Sequence, residues 1–382
     1  MKLELVTRRE DLAALAPKWD ELARHDLRDG FFRTSAWYRS WMDHVRPEAE
    51  PFVVVARDAG GEIAGLAPLC RAPFRDLGFR FNCVSSGGRE MVSGDYLDYL
   101  AAPHARAEVL PAVLNFLWEQ RSEWEMLLVG EVIVGGDLHR AVEAFAESKN
   151  LAFRLQEERV CPFIELPATY EEYLSGLSQK IRKRLRRDVR DVQEKLNARI
   201  EVVSDPQQVC AQMETMIRLH VDRWNSVNQP GTLTRAGMPE FLQQFCAAPP
   251  PGGQTRLYFL KQEEKALAAV LTFWYGESAL FYQTGWDPES AAVRYSPGMV
   301  LVGYSIRDAI ENGMRYYDCL RGNEAYKSHL AKSSRKTATL LLARSFFAKE
   351  YLRANRVKDL VKRVVGNDTA AAEPQLTTVS ET

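Results

Sequence analysis

The segment between Arg256 and Gly285 constrains the fold more than any other part of the chain. Residues 256–261, 266–274 and 279–285 are runs rich in apolar and aromatic side chains, separated only by a polar turn and by a turn at Gly276. Connections this short cannot carry a crossover, so the three runs are expected as consecutive strands of an antiparallel meander.

The first half repeats the order. Leu12, Leu15, Trp19 and Leu22 fall at helical spacing within 11–24, and a second amphipathic segment carries Phe32, Trp37 and Trp41 ahead of Pro47. Residues 52–56, a turn at 58–61 and residues 63–70 then read as strand, turn and strand, with a further strand pair expected at 79–84 and 96–101. Helical patterns at 111–121 and 138–148 flank the apolar run 124–129, and this alternation argues for an α/β domain. Helices over 170–196 and 206–224 precede the meander, after the Pro/Gly-rich connection 247–253. The stretch 53–65 echoes 258–269 in pattern rather than identity, as a duplicated unit would.

A length of 382 residues, 46% of them hydrophobic, suffices for two cores. The expected division is 1–167 for one domain, 168–350 for a second that carries the site, and 351–382 for a C-terminal helix and a polar tail disordered from Gly366. With 50 Lys and Arg against 51 Asp and Glu there is no overall field to draw the protein onto nucleic acid or anionic lipid. The six cysteines are scattered, without CxxC pairs or zinc-ligand spacing, so no metal site is expected and the thiols read as buried in a reducing compartment. No apolar leader opens the chain and no stretch reaches the roughly 18 apolar residues of a spanning helix, which points to the cytoplasm.

The chemistry is densest between Gly285 and Lys327. Ser296-Pro297-Gly298 is a helix start, with serine at the cap and proline at the first helical position. Met299, Val302, Gly303, Ile306 and Ile310 share a face, and Asn312-Gly313 stops the helix. A helix N-terminus following directly on a strand and a loop favours an anion such as a pyrophosphate, although Ser-Pro-Gly is also ordinary helix-start chemistry. A strand over 314–320 follows, and Asp318, Arg321, Glu324, Tyr326 and Lys327 concentrate titratable groups at its end. A solvated loop with a structural Arg/Glu pair would have the same composition.

Tyr295-Ser-Pro-Gly298, the helix ending at Gly313, and the run from Tyr317 to Lys327 resemble the CelD/BcsL-type, or BioF2-like, acetyltransferases of the GNAT superfamily, related to the Fem peptidyltransferases. Weaker echoes at 32–37, 94–98 and 219–224 extend the resemblance to about Arg344. Asn323 departs from the family's usual Asp, Ser328-His329 replaces an aromatic, and the ordinary Gly-rich phosphate loop is absent. The resemblance implies tandem GNAT-like (acyl-CoA N-acyltransferase) α/β domains, with mixed, mostly antiparallel sheets flanked by helices. It implies acyl transfer from acetyl-CoA or another acyl-CoA as cosubstrate, with no permanently bound cofactor. The acceptor would be an amino or hydroxyl group of a small molecule or saccharide, in the setting of exopolysaccharide or cell-envelope synthesis.

On this reading the donor lies at Arg294, Tyr295, Ser296, Gly298 and Met299. Asp318 or Glu324 takes the acceptor's proton, Tyr326 protonates the leaving thiolate, and Lys327 or Arg321 holds a negatively charged substrate. Asp95, His220 and Trp224 are candidate acceptor contacts, Asp95 on a polar loop that reads equally as a surface turn. His220 lies among Met213, Met216, Ile217 and Trp224 at helical spacing, which favours a core or pocket-wall histidine over a base. The basic run 180–190 keeps Ile181, Leu185 and Val189 at fourfold spacing, so a solvated helix face is the default; its functional reading is a cradle for an acidic substrate or peripheral contact with an anionic membrane. Two other classes stay open. A Fem-like aminoacyl or peptidyl transferase would take a charged tRNA, and a non-catalytic binding subunit would need none of the titratable groups.

Overall fold

A computed structural model describes residues 1–76, 78–322 and 324–354. The expected tail from Gly366 and position 323 lie outside the described residues. The chain forms two compact units, one of Met1–Arg159 with the described residues from Lys336 onward, the other of Val160–Arg335. The sequence division assigned 336–350 to the second domain, whereas these residues group with the first unit.

The first unit opens with β1 (Lys2–Val6), α1 (Leu12–Arg24) and α2 (Ser35–Ser40). Helix α1 buries the predicted stripe Leu12, Leu15, Trp19 and Leu22. Then come β2 (Glu50–Pro51), β3 (Val53–Arg57), β4 (Ile63–Ala67), β5 (Leu69–Asp76), β6 (Phe79–Ser86) and β7 (Leu100–Ala101). The expected single strand over 63–70 is broken at Pro68, which has no N–H for a ladder, and the pieces join different sheets. Only Leu100–Ala101 of the strand expected at 96–101 forms, because Tyr96 adopts a left-handed backbone. Helix α3 (Arg106–Glu119), β8 (Met126–Ile133), α4 (Asp137–Ser148) and the first part of β9 (Ala152–Glu165) follow.

In the second unit, the helix expected over 170–196 divides into α5 (Tyr170–Gly176) and α6 (Gln179–Leu196), since Leu177 is extended and the Ser178 side chain caps a new start at Ile181. Next are β10 (Ala198–Val203), α7 (Pro206–Asn225), α8 (Met238–Ala247), β11 (Gly253–Gln262), β12 (Lys265–Tyr275) and β13 (Ser278–Trp286). The last three form the predicted meander, antiparallel at both interfaces. Helix α9 (Pro297–Glu311), β14 (Tyr316–Asp318), α10 (Ala325–Leu330), β15 (Ser333–Ala343) and α11 (346–354) complete the described chain.

The first unit holds the sheets β1-β3-β4-β7 and β15-β8-β6-β5-β2, and the second the order β10-β11-β12-β13-β14-β9. Among the described pairings, β6 with β8 and β13 with β14 are parallel, each pair joined across a helix, and the others are antiparallel. The core of the second unit packs α9 onto the meander through Val300, Leu301, Ile306 and Ala309.

Candidate active site

Strands β13 and β14 pair at Ser278↔Tyr316, Ala279↔Tyr317 and Leu280↔Asp318, after which β14 ends while β13 continues to Trp286. Against β12, the register of β13 slips so that Gln283 faces Leu271 and Phe281 faces Thr272, leaving Tyr282 as the extra residue of a bulge. From Phe281 onward one edge of β13 therefore has no strand beside it among the described residues. Side chains reach this stretch instead. His220 Nδ1 lies 3.2 Å and Arg223 Nη1 3.4 Å from the Thr284 carbonyl, and the Tyr326 ring stands edge-on to Phe281 at 6.5 Å.

His220 is fully buried on α7. Since Nδ1 meets a carbonyl it carries the proton of the neutral ring, and Nε2 accepts from the Thr232 hydroxyl at 3.3 Å. Burial, assisted by the Arg223 cation, lowers its pKa to about 3. With both nitrogens engaged and so little basicity, the ring is placed as a buried, neutral histidine. Arg223 lies over the rings of Trp286, 4.4 Å from its centroid, and Trp224, while the buried Trp224 Nε1 has no hydrogen-bond partner among the described residues. Arg223, Thr232 and Trp286 were not singled out from the sequence; the Arg223-Trp224 pair, one helical turn from His220, was the available signal.

Helix α9 begins at Pro297 as predicted, but Ser296 does not cap it. The residue is left-handed (φ 51°), makes no cap hydrogen bond, and accepts one at 2.6 Å from Arg184 of α6. Ser296 thus gives the first turn of α9 no side-chain acceptor, and a guanidinium stands beside it. Arg294 and Tyr295 close the preceding 3-10 turn, Ala291–Tyr295, with the Arg294 guanidinium 5.9 Å from the Tyr295 ring.

At the end of β14 the titratable groups are bound to one another. Asp318, 2% exposed, accepts from Arg335 Nη2 and from the Leu320 N–H, both at 2.8 Å, and Leu320 is held at a positive φ. Lys327 donates to the Arg321 carbonyl at 2.8 Å and pairs with Glu324 at 3.1 Å. Gly322 lies beneath that pair at φ 137°, where a Cβ would come within 2.0 Å of Glu324 Oε2. Burial pushes the neighbouring Cys319 thiol up to about 12, so it is not a nucleophile at neutral pH.

The cations of α6 are largely engaged as well. Arg184 and Arg187 pair with Asp188, Arg190 and Lys195 with Asp191, and Arg186 with Glu171. Asp95 belongs to the first unit. It is fully buried in a loop where Met91, Ser93 and Tyr96 all have positive φ, so this segment is packed rather than a flexible surface turn. No group of metal-ligating side chains occurs among the described residues.

Residues 179–328 match the family model described as an acetyltransferase (GNAT) domain. The matched span lies within the second unit, which therefore carries a GNAT-type acyltransferase domain. No curated protein sequence matches the chain. Among solved structures, FemX shares the fold at 11% identity and a TM-score of 0.60, over 90% of this chain and 98% of that one. L-PGS from Bacillus licheniformis does so at 11% identity and a TM-score of 0.51, over 92% and 97%. At these identities the likeness is one of fold.

Proposed function

We propose that the second unit transfers an acyl group, acetyl or longer, from acyl-CoA to an amino or hydroxyl group of a small molecule or saccharide. One observation carries this reading: the parallel pair β13–β14 parts at Leu280↔Asp318, and the freed strand leads to a helix whose first turn is uncapped and flanked by Arg184. Backbone amides along 281–286 suit the amide-bearing arm of the donor, and the N–H groups of Gly298 and Met299 suit its diphosphate. The thioester would then lie near the Tyr282 bulge, with Tyr326 close by at Phe281. Attack by the acceptor forms the new C–N or C–O bond, the C–S bond breaks, and Tyr326 supplies a proton to the thiolate. Glu324 is the better candidate for the acceptor's proton, since its side chain is 10% exposed whereas that of Asp318 is 2% exposed and tied to Arg335. Asp318, Arg335 and Lys327 would act by holding the loop in place. A cell-envelope or exopolysaccharide acceptor fits the motif resemblance at 295–298 and 317–327.

Calorimetric titration of the purified chain with acetyl-CoA and longer acyl-CoAs tests the donor. Binding in the micromolar range that is lost in Gly298→Glu is expected, because that variant puts bulk and negative charge at the first turn of α9. In the same preparation Glu324→Gln should lower kcat about 100-fold or more while leaving donor binding intact. No affinity for any acyl-CoA would reject the proposal and favour an aminoacyl-tRNA donor or a binding subunit.

A further inference from the structure

A cavity of about 430 Å³ opens among α5, α6 and α9 of the second unit, a volume suited to a small molecule. It is lined by no described residue of β13 or of the first turn of α9. Leu174 of α5 with Leu185 and Val189 of α6 give it an apolar wall. Tyr170 and Tyr304 add two half-buried rings that are held from behind. Tyr170 packs on Tyr173 at 5.9 Å, and Tyr304 meets Tyr258 edge to face at 6.2 Å, with the Tyr258 hydroxyl fixed on Asp308 at 2.8 Å. Gly303 keeps α9 narrow here, since a Cβ would stand 3.0 Å from Leu185 Cδ2 and 3.7 Å from the Tyr170 hydroxyl.

Neither the Tyr170 nor the Tyr304 hydroxyl has a hydrogen-bond partner among the described residues. Burial pushes the Tyr170 hydroxyl up to about 12, against the pull of the nearby Arg307 cation, so it remains a donor at neutral pH. Arg307, which also lines the cavity, lies within electrostatic reach of both hydroxyls. Its Nε donates to Glu311 at 2.7 Å, while its two Nη nitrogens have no partner among the described residues. On α6, Arg186 pairs with Glu171. Two arginines against two glutamates leave the lining neutral overall, with unused hydroxyl and guanidinium donors beside the apolar wall.

We infer that this cavity is a binding site for a small monocarboxylic acid with an apolar body, its carboxylate on the Arg307 Nη groups and the Tyr170 and Tyr304 hydroxyls, its body against Leu174, Leu185 and Val189. A carboxylate accepts from several donors at once and matches the edge of a guanidinium, which a neutral hydroxyl does not. One negative charge suits a lining that is neutral overall, whereas a dianionic phosphate would bring a second charge against Glu171 and Glu311. Rings already fixed by Tyr173 and Tyr258 lose little freedom when the ligand enters. The site does not depend on the acyltransferase reading.

The test is calorimetric titration of the full chain with biphenyl-4-carboxylate, beside biphenyl-4-methanol and biphenyl-4-methylamine as its uncharged and cationic counterparts. One carboxylate per chain is expected, bound about tenfold or more tightly than the alcohol or the amine. Tyr170→Phe/Tyr304→Phe should weaken it about tenfold and keep the melting temperature, since neither hydroxyl bonds to a described residue. Arg307→Gln/Glu311→Gln, which keeps the lining neutral, should weaken it to a similar degree, and Val189→Trp, which fills the cavity from a half-buried position, should abolish it. No binding of the carboxylate, or an affinity that the Phe pair or Val189→Trp leaves unchanged, overturns the proposal. So does equal affinity for the alcohol, which would make the cavity an apolar slot without anion recognition. Preference for the amine would overturn it as well, by assigning the site to a cation held by Glu171 and Glu311.

Discussion

His220 shows how position within a fold decides the chemistry of a residue. Its lowered pKa has a consequence for stability with a definite sign. Between about pH 6.5, the ordinary histidine value, and about pH 3, the unfolded chain takes up a proton that the native ring refuses. The contribution of the neutral ring is therefore full above pH 6.5 and is lost as pH falls through this window, with a slope approaching 1.4 kcal/mol per pH unit. Urea titrations across this range should show His220→Phe with a flatter acid limb than wild type; equal slopes would mean that the ring is protonated in the native state. The helical spacing of His220 with Met213, Met216 and Trp224 favours a core or pocket-wall histidine over a base, and the ring is fully buried. The sequence could not reveal what Asp318 does, because its partner Arg335 lies 17 residues downstream, on another strand.

At the scale of elements, α7 lies directly on β13, and Gly285 makes that approach possible. A Cβ there would sit 2.2 Å from the His220 nitrogen and 2.4 Å from the Leu219 carbonyl carbon, both backbone atoms of a long helix that cannot rotate away. Gly285→Ala should cost about 3 kcal/mol or more in chemical denaturation. Gly231→Ala, whose Cβ would meet the His220 ring at 2.8 Å, should cost less, since a side chain can yield where a helix backbone cannot. Elements whose signals are local were legible in the sequence. The meander shows as apolar runs between short turns, and α9 is bounded by Pro297 and by Gly313 at φ 76°. Pairings between distant segments were not legible. Nothing near residues 336–343 indicates that β15 will lie along β8 of the first unit, because the partner Met126–Ile133 is remote in sequence and both strands are simply apolar.

At the scale of the whole molecule, the two units share a parallel pair but treat its open end differently. In the first unit β6 and β8 part after Ser85↔Leu128, and the chain's own loop takes the vacated edge. Gly130 donates its N–H to the Ser86 hydroxyl, Leu97 donates its N–H to the Glu131 carbonyl, and the Arg89 side chain crosses Gly130 so closely that a Cβ would stand 2.1 Å from its Cδ. No helix starts directly after β6 to offer an uncapped first turn; the left-handed residues Met91, Ser93 and Tyr96 shape a buried loop there instead. In the second unit the corresponding strand β13 runs on to Trp286 beside β12, with no described strand on the edge that β14 leaves, and leads to α9. Among the described residues, the free strand edge and helix N-terminus that the proposed donor needs therefore occur together once. Titration with acyl-CoA should give a stoichiometry of one, and Gly298→Glu should abolish all of it. A second site of comparable affinity that survives this substitution would mean that the loop over 87–99 opens, and that the first unit is a second acyl-CoA site in its own right.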